Sequence, residues 1–364
     1  MLARRRNAVY VARNKDTDTV AQGLSTLDSW MNGIRRQLDA VLEAFFEAKC
    51  EEAARLSPRA IELVVEVQNL TMRGGKRLRP IVTAAAHRAA SHDGEPSATV
   101  EVGAALELLQ TYLLIHDDWM DQDRERRGGP AVHYAFQCKH GAQHLGASLG
   151  ILAGDLASTF SWELLLRGQF PPGRRDDGLT LFVEMQKEVF AGQQLDLMTD
   201  ADVERMHDLK TGSYTTRGPA ELGGILAGAD AASMDALRRW SAPLGVAFQL
   251  RDDLLGTFGS VQEIGKPGDD LRHGKHNAVV AAFRRLEPSA AARAALEAVW
   301  GRADASDHAL QAAWDVLSEA KTEVEARLAL LADEARDAVT ASPFDDDAKQ
   351  MLEEVTLRLT ERGS

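Results

Sequence analysis

Apolar residues recur at three- and four-residue intervals along most of the chain from Leu24 onward, which is the period of helices with one buried face. Ala, Leu, Glu and Arg dominate these segments, and strand-like runs of Val, Ile, Thr and aromatic residues are scarce. Proline, glycine and short polar residues interrupt the pattern at residues 57–58, 91–96, 169–178, 256–276, 287–288 and 342–343. The pattern predicts an all-α protein, a bundle of about a dozen helices.

The first residues of the chain differ from the rest in their pattern. Residues 1–22 are polar, mixed in charge and aperiodic, which is typical of a segment that buries no apolar face. We therefore expect a disordered leader over residues 1–22 and a helical domain over residues 23–364. The second range shows no internal repeat, low-complexity linker or clear boundary, so the sequence favours one domain, although its length would also suit two.

Composition narrows the possible functions. With 42 Lys and Arg against 55 Asp and Glu, the formal net charge is −13, which argues against a general nucleic-acid-binding protein. Cys50 and Cys138 are far apart and lack metal-site spacing, so we expect free thiols in a reducing cytoplasm. No apolar segment follows Arg4-Arg5-Arg6 as in a signal peptide, and no uncharged apolar run suits a membrane span. We expect a cytoplasmic protein without a membrane span.

The densest candidate chemistry is the segment His116-Asp117-Asp118-Trp119-Met120-Asp121, which ends a mostly apolar run. Residues four apart lie on one face of a helix, so Asp117 and Asp121 point the same way and Asp118 lies roughly 100° round. Carboxylates on a buried helix repel each other and lose hydration, and a cation between them removes both costs. Ligands that are all oxygen favour Mg²⁺, which shares its shell with substrate phosphates. His116 points away from this face, which favours a structural role.

A second acidic pair, Asp252-Asp253, follows another apolar helical run that begins near Phe248. Each acidic pair taken alone is as consistent with a helix N-cap or a solvated face as with a functional site. The two pairs together, each flanked by apolar residues, predict one site with carboxylates on facing helices. Such a site could hold several Mg²⁺ ions around a polyphosphate.

Basic clusters accompany the acidic pairs. Arg73, Lys76, Arg77 and Arg79 surround two glycines, and glycines let a backbone approach a ligand whose phosphate oxygens guanidinium groups can bind. A charge run of this kind is commonly no more than solvated surface. Further basic positions are Arg124, Arg126 and Arg127, then Lys210 beside Thr211 and Gly212 at a helix interruption, and then Lys266 and Lys275 in a loop that also carries Asp269 and Asp270.

The order of these motifs resembles that of the trans-isoprenyl diphosphate synthases, also called polyprenyl synthetases. In chain order the motifs are Gly-Gly-Lys-Arg-Leu-Arg-Pro at 74–80, Asp-Asp-x-x-Asp at 117–121, Arg-Arg-Gly at 126–128, Gly-Gln-x-x-Asp at 192–196, Lys-Thr at 210–211, Phe-Gln-x-x-Asp-Asp at 248–253 and Gly-Lys…Asp…Lys at 265–275. The resemblance covers residues 70–275, and the ordered set is more specific than any one motif. It implies the isoprenoid synthase fold, with a deep central cavity, and a homodimer by analogy.

The resemblance also implies substrates and site residues. The substrates would be isopentenyl diphosphate and an allylic diphosphate (dimethylallyl, geranyl or farnesyl). Mg²⁺, at about three ions per site, would be bound by Asp117, Asp118, Asp121, Asp252, Asp253 and Asp270. Isopentenyl diphosphate would bind Lys76, Arg79, Gln110 and Arg127, and the allylic diphosphate would bind Arg126, Lys210, Lys266 and Lys275. Gln193, Asp196, Thr211, Phe248 and Gln249 would line the reacting centre.

The implied chemistry is a head-to-tail condensation. Metal and basic groups would stabilise departing pyrophosphate, so that the allylic C–O bond ionises and the double bond of isopentenyl diphosphate attacks the cation. The Lys210 carbonyl, the Thr211 hydroxyl and the Gln249 amide would direct dipoles at that cation, and we find no Ser/His/Asp pattern that offers a base. Two positions depart from the family pattern. Gly256 stands where the second motif has its third carboxylate, and Asp270 could take the place of that carboxylate. Gln110 stands where many bacterial relatives have His.

Product length depends, in this family, on residues just before the first aspartate. Here Tyr112 lies five residues before Asp117, and Leu113 lies four before. One aromatic residue, without an insertion inside the first acidic motif, resembles synthases of the C20 product. We expect geranylgeranyl diphosphate, with farnesyl diphosphate (C15) as the alternative.

Other classes of protein remain open. A class I terpene cyclase shares the helical fold and the first acidic motif, but it usually carries an Asn/Ser/Glu metal triad in place of Asp252-Asp253. A non-catalytic subunit of a heteromeric synthase typically lacks one acidic motif, and this chain has both. A di-iron bundle requires two Glu-x-x-His pairs, and the chain has only Glu204 with His207, which we expect on the surface.

Overall fold

The predicted all-α fold is confirmed by the structure, a computed structural model that describes residues 2–91, 96–199, 202–259 and 268–360, with backbone only for residues 2–26, 96 and 97. The helices are α1 (Leu2–Leu56), α2 (Ile61–Met72), α3 (Leu78–Ala90), a 3₁₀ turn (Pro96–Thr99), α4 (Val100–Met120), α5 (Val132–His140), α6 (Gln143–Arg167), α7 (Arg175–Leu197), α8 (Val203–His207), a π-helix (Asp208–Arg217), α9 (Gly218–Ala227), α10 (Ala231–Phe258), α11 (Asp269–Arg272), α12 (Ala278–Arg285), α13 (Ala290–Glu297), α14 (Asp307–Val316), α15 (Ser318–Thr340) and α16 (Asp346–Thr360). Within the described residues, β structure is limited to the antiparallel pair β1 (Glu125–Arg126) and β2 (Gly129–Pro130).

The N-terminal segment that we expected to be disordered is helical in the structure, as the first part of α1. It contains no proline and no glycine before Gly23, so no residue in it breaks a helix. The structure divides the chain into two compact units, residues 1–174 with 225–228 and residues 175–224 with 229–364. The leader over residues 1–22 and the single domain over residues 23–364 stay predictions.

The first unit is built on α4, which is buried along most of its length because apolar and small side chains cover it on several sides. Leu106, Leu108, Leu109 and Ile115 have no exposed surface, and α6, α3 and α1 pack on the helix. Thr111 hydrogen-bonds Thr71 on α2 at 3.0 Å, with both hydroxyl groups buried. The last turn of α4, which carries the first acidic motif, therefore extends from a rigid support.

Glycines on α6 allow this helix to lie close to its neighbours. A Cβ atom at Gly150 would lie 2.8 Å from the Cβ atom of His133 on α5, and a Cβ atom at Gly154 would lie 2.2 Å from the Nε2 atom of His116 on α4. Real Cβ atoms do not approach so closely, so larger residues at these two positions would push the helices apart. The contact holds His116, the residue before the acidic motif, between α4 and α6.

The second unit is built on α10. Leu237, Trp240 and Leu244 are fully buried on this helix, and the Trp240 indole donates a hydrogen bond to Thr356 on α16 at 2.9 Å. The π-helix and α15 also pack on α10. A Cβ atom at Gly245 would lie 2.3 Å from the Cα atom of Gly212, so the backbones of α10 and the π-helix are in direct contact. The side chains that follow on both segments are therefore close neighbours.

Among the described helices, α6 is the one whose length and composition would suit a membrane span, with a mean hydropathy of 1.3. Of that apolar window, 44% is buried within the protein, and core helices of soluble proteins pass the same test. The expected absence of a membrane span stays a prediction.

Candidate active site

The first acidic motif lies at the end of α4, where its aspartates have different environments. The Asp117 side chain is 20% exposed and Asp121 is exposed, while the Asp118 side chain has no exposed surface. The amide of Asp121 donates to the Asp117 carbonyl at 2.8 Å, so the helical spacing extends to Asp121. Asp117 and Asp121 are therefore accessible on one face and Asp118 points into the unit, as the predicted 100° offset requires.

Arg126 on β1 pairs with the buried aspartate. Its Nε atom donates to Asp118 Oδ1 at 2.6 Å, its Nη2 atom makes a second contact with the same oxygen, and it lies 3.3 Å from Asp123 and 3.7 Å from Asp117. Burial raises the pKa of Asp118 to about 6, although the guanidinium opposes this shift. Burial disfavours the charge of Arg126, but the nearby carboxylates of Asp118, Asp117 and Asp123 together outweigh it, so the pKa of Arg126 is raised. Asp118 Oδ2 is buried without a hydrogen-bond partner.

The basic cluster at 73–79 separates into residues with different surroundings. Arg77 is left-handed (φ 51°), and its buried guanidinium pairs with Glu107 at 2.7 Å and Asp39 at 2.9 Å. Arg77 therefore links the start of α3 to α4 and α1, a structural role that the sequence of basic residues did not reveal. Lys76 is exposed, whereas Arg79 is 6% exposed.

Arg127 reaches the glycine turn of the same cluster. Its guanidinium carbon lies 3.3 Å from the position of a Cβ atom on Gly75, whose φ of +142° also disfavours any side chain. Burial lowers the pKa of Arg127, and Arg77, Arg79 and Arg126 lower it further through their charges. The first unit thus gathers Arg79, Arg126 and Arg127, predicted on diphosphate, in one electropositive cluster that suits an anion.

The predicted chain-length residue Tyr112 lies on α4 one turn before His116. The two rings meet edge to face with centroids 4.9 Å apart, and His116 Nε2 donates to the carbonyl of Ile151 on α6 at 3.2 Å. These contacts agree with the structural role expected for His116, which stays a prediction. Leu113 and Gln110 are partly buried on the same helix.

In the second unit, the predicted helix interruption at Lys210-Thr211-Gly212 lies in the π-helix. Lys210 Nζ lies 2.6 Å from Asp196 Oδ2 on α7, so these two predicted residues pair. A Cβ atom at Gly192 would lie 2.2 Å from the Lys210 nitrogen, so the glycine lets α7 approach the π-helix. The amide nitrogen of Gln193, the next residue, is buried without a hydrogen-bond partner.

Thr211 and Gln249 form a hydrogen-bonded chain with Asp253. Thr211 Oγ1 donates to Gln249 Oε1 at 3.1 Å, and Gln249 Nε2 donates to Asp253 Oδ1 at 3.0 Å. Asp253 Oδ2 accepts the backbone N–H of Ala278 at 2.8 Å and lies 3.4 Å from His207 Nε2. Both oxygens of this aspartate thus contact protein groups, and metal binding by Asp253 stays a prediction.

His207 is the residue that we expected on the surface, and that prediction is wrong. It is 3% exposed, at the end of α8, because it packs beside the equally buried Asp253. Glu204 instead pairs with Arg327 on α15 at 3.0 Å. Sequence reasoning misplaced His207 and missed Ala278 because their common partner, Asp253, lies in a distant segment of the chain.

The remaining carboxylates of the second unit surround Gly256. A Cβ atom at Gly256 would lie 2.2 Å from Asp270 Oδ2, so the Asp270 carboxylate occupies the space of the missing side chain. Burial raises the pKa of Asp270, and Asp253 adds to this shift while Lys275, 3.9 Å away, opposes it. Asp252 and Phe248 are partly buried on α10, and Lys266 lies outside the described residues.

The residues present fit magnesium bound jointly with a diphosphate. No group of three or more His, Cys, Asp or Glu side chains forms a metal cage in the part of the chain that is described. Mg²⁺ usually binds through one or two carboxylates, waters and substrate phosphates, and accessible Asp117 and Asp121, with the orphaned oxygen of Asp118 nearby, offer oxygen ligands of this kind.

A family model described as polyprenyl synthetase matches residues 62–317. The chain belongs to the polyprenyl synthetase family. It is 32% identical over 267 residues to a farnesyl diphosphate synthase of Geobacillus stearothermophilus, a match that covers 69% of this chain and 82% of the relative. It is 28% identical to a geranylgeranyl diphosphate synthase of Sulfolobus acidocaldarius, covering 81% and 86% of the two chains.

Solved structures agree with the family. The structure of a Corynebacterium glutamicum geranylgeranyl pyrophosphate synthase, complexed with isoprenyl diphosphate and magnesium, matches with a TM-score of 0.83 and 31% identity, covering 93% of this chain and 99% of that one. The predicted family and the enzyme class, a trans-prenyltransferase, are confirmed. The individual site residues stay predictions.

Proposed function

We propose that this polyprenyl synthetase condenses isopentenyl diphosphate head to tail with an allylic diphosphate to form geranylgeranyl diphosphate. The observation that carries the proposal is the first unit's pairing of accessible carboxylates (Asp117 and Asp121) with a cluster of buried and partly buried arginines (Arg79, Arg126 and Arg127). Carboxylates bind the cations that accompany a diphosphate, and guanidinium groups bind its oxygens directly. A site for an uncharged substrate would need neither set.

Magnesium is the proposed cofactor, at about three ions per site. Asp117, Asp121, Asp252 and Asp270 would hold it, and when bound it neutralises the charge that develops on departing pyrophosphate. The magnesium in the Corynebacterium glutamicum structure supports this choice. Asp118 contributes through Arg126, whose position it fixes.

The chain's own residues supply the other elements of the reaction. Arg79 and Arg127 would bind isopentenyl diphosphate, and Arg126 and Lys210 would bind the allylic diphosphate. Lys210 is oriented by Asp196. Thr211 and Gln249 present oxygen dipoles to the allylic carbon as its bond to oxygen breaks. The departing pyrophosphate accepts the proton that is lost after condensation, so this arrangement requires no side-chain base.

Product length is proposed to depend on Tyr112. Its ring is braced against His116, which the contact with Gly154 on α6 holds in place. A braced aromatic ring makes a firm end to a chain-binding cavity, whereas a mobile side chain would yield to a longer product. We propose the C20 product, with farnesyl diphosphate as the alternative.

The proposed assembly is a cytoplasmic homodimer. Helix α6 exposes Leu145 (42%), Ile151 (39%) and Leu152 (51%), and exposed apolar residues near one another on a helix favour burial against another chain. Sedimentation of the purified protein would show twice the monomer mass if this proposal holds, and monomer mass would contradict it.

The decisive experiment is incubation with Mg²⁺, isopentenyl diphosphate and each of the C5, C10 and C15 allylic diphosphates, followed by chain-length analysis. A C20 product from all three primers is expected. A C15 product would select the farnesyl alternative. Cyclised hydrocarbon would identify a terpene cyclase, and no condensation with any primer would favour a subunit that needs a partner.

A further inference from the structure

The second unit contains a hydrogen-bonded chain in which every direction is determined by chemistry. An ionised carboxylate accepts hydrogen bonds and donates none. Asp253 must therefore meet the NH₂ group of Gln249, not its oxygen, across the 3.0 Å that separates them. The Gln249 oxygen is left facing Thr211, 3.1 Å away, and it can only accept, so the Thr211 hydroxyl must donate to it.

We propose that Asp253 is a positioning residue, which fixes the Gln249 amide so that Thr211 Oγ1 and Gln249 Oε1 present only lone pairs to the reacting carbon. This inference rests on the proposed function. With the amide in this orientation, one Gln249 N–H donates to Asp253 and the Thr211 hydroxyl donates to the Gln249 oxygen, so neither oxygen atom directs a hydrogen at the substrate. Two oxygen atoms without an outward hydrogen suit a developing positive charge.

The position of Asp253 is itself over-determined. Its side chain is 5% exposed, and it lies one helical turn after Gln249 on α10, the spacing at which side chains meet. Its second oxygen accepts the N–H of Ala278, the first residue of α12, and faces His207. Three segments thus hold the carboxylate, so the amide orientation does not depend on a flexible group.

The Asp253→Asn variant tests the proposal because its geometry reverses the chain. The Asn oxygen must stay with the Ala278 N–H, which can only donate, so the Asn NH₂ group turns toward Gln249. Gln249 then presents its oxygen to residue 253 and its NH₂ group to Thr211, which places hydrogens near the reacting carbon. We expect kcat to fall on the order of 10²-fold, the effect of losing one oriented dipole, while KM for both substrates stays within about twofold.

A second substitution should reverse the loss. In Asp253→Asn with Gln249→Glu, residue 249 accepts from both neighbours, so the Thr211 hydroxyl again donates away from the substrate. We expect kcat to recover at least about tenfold over the single variant. Thr211→Val removes one of the two oxygens, so adding Asp253→Asn to it should cause a smaller further loss than Asp253→Asn causes in the wild type. Recovery absent from the double variant, or fully additive losses with Thr211→Val, would overturn the proposal.

A metal-ligand role for Asp253 predicts a different result. Thermal stabilisation by Mg²⁺ with inorganic pyrophosphate reports binding without turnover. We expect the Asp253→Asn protein to show the same half-maximal Mg²⁺ concentration as the wild type, and Asp252→Asn to require more. A shifted Mg²⁺ requirement for Asp253→Asn would assign it to the metal instead. If the wild type forms no condensation product, the proposed function itself fails, whereas an active wild type with an equally active Asp253→Asn variant refutes only the present inference.

Discussion

The two acidic pairs look alike in sequence, and the structure gives them different partners. In each pair the first aspartate is partly exposed (Asp117 and Asp252) and the second is buried (Asp118 and Asp253). Asp118 pairs with a charged guanidinium, that of Arg126. Asp253 binds the uncharged Gln249 amide and a backbone N–H, with His207 beside it. A dipeptide on a helix therefore yields one accessible and one buried carboxylate, and the surroundings of the buried one decide what it does.

The third carboxylate of each set also differs in origin. In the first unit Asp121 follows Asp117 by four residues on the same face. In the second unit the equivalent position is Gly256, and Asp270 from α11 occupies the space in front of it. One set is thus local in sequence, whereas the other is completed by a residue from a different element.

The largest expected effect comes from removing an accessible aspartate. Asp117→Asn and Asp252→Asn should each lower kcat on the order of 10²- to 10³-fold, because a ligand to the cation that neutralises pyrophosphate is lost. Steady-state kinetics at saturating Mg²⁺ would measure this loss. Equal effects would mean that the accessible members act alike, and an unimpaired variant would remove that residue from the proposed magnesium site.

Removing the ion pair between Arg126 and Asp118 should destabilise the folded state. Arg126→Met leaves Asp118 buried without its counter-ion, which should lower the free energy of unfolding by about 3 kcal/mol. Chemical denaturation would measure the change. Arg124→Met is the matched control, because Arg124 is exposed and lies 5.5 Å over the Tyr134 ring, a contact worth less than about 1 kcal/mol. Similar losses in the two variants would show that the Arg126 pairing adds little.

Asp118 should also give the fold a pH dependence in the absence of metal. Its folded pKa is raised to about 6, against about 3.9 in an unfolded chain. The folded state therefore binds the proton more tightly, so the stabilising contribution of Asp118 is complete below about pH 4 and is lost as the pH rises through about 6, by roughly 3 kcal/mol. Asp118→Asn should flatten the curve between these values relative to the wild type, measured with EDTA present. Parallel curves would contradict the assignment.

The smallest expected effect concerns Asp270, whose carboxylate occupies the space in front of Gly256. Gly256→Ala places a Cβ atom within 2.2 Å of Asp270 Oδ2, so the carboxylate must move. We expect the half-maximal Mg²⁺ concentration to rise by about tenfold, with the fold preserved. Gly33→Ala is a suitable control, since a Cβ atom there would meet nothing within 4 Å on helix α1. An unchanged requirement would separate Asp270 from metal binding.

The sequence predicted the helices and the accessible carboxylates because both depend on local periodicity. The four-residue spacing predicted that Asp117 and Asp121 share one helix face, and proline, glycine and short polar residues predicted where the loops lie. It could not separate Arg77 from Arg79, because burial and the partners Glu107 and Asp39 come from distant segments. It placed His207 on the surface for the same reason, since Asp253 lies 46 residues further along the chain.

In the π-helix over Asp208–Arg217, the number of residues determines the direction in which each side chain points. A π-helix closes its hydrogen bonds five residues back, so it contains more residues per turn than an α-helix of equal rise. Deleting one residue would be accommodated by a return to α geometry, in which the side chains within the segment take new directions. An insertion or deletion here therefore changes which way Lys210 and Thr211 point, although it would appear in an alignment as a gap of one letter.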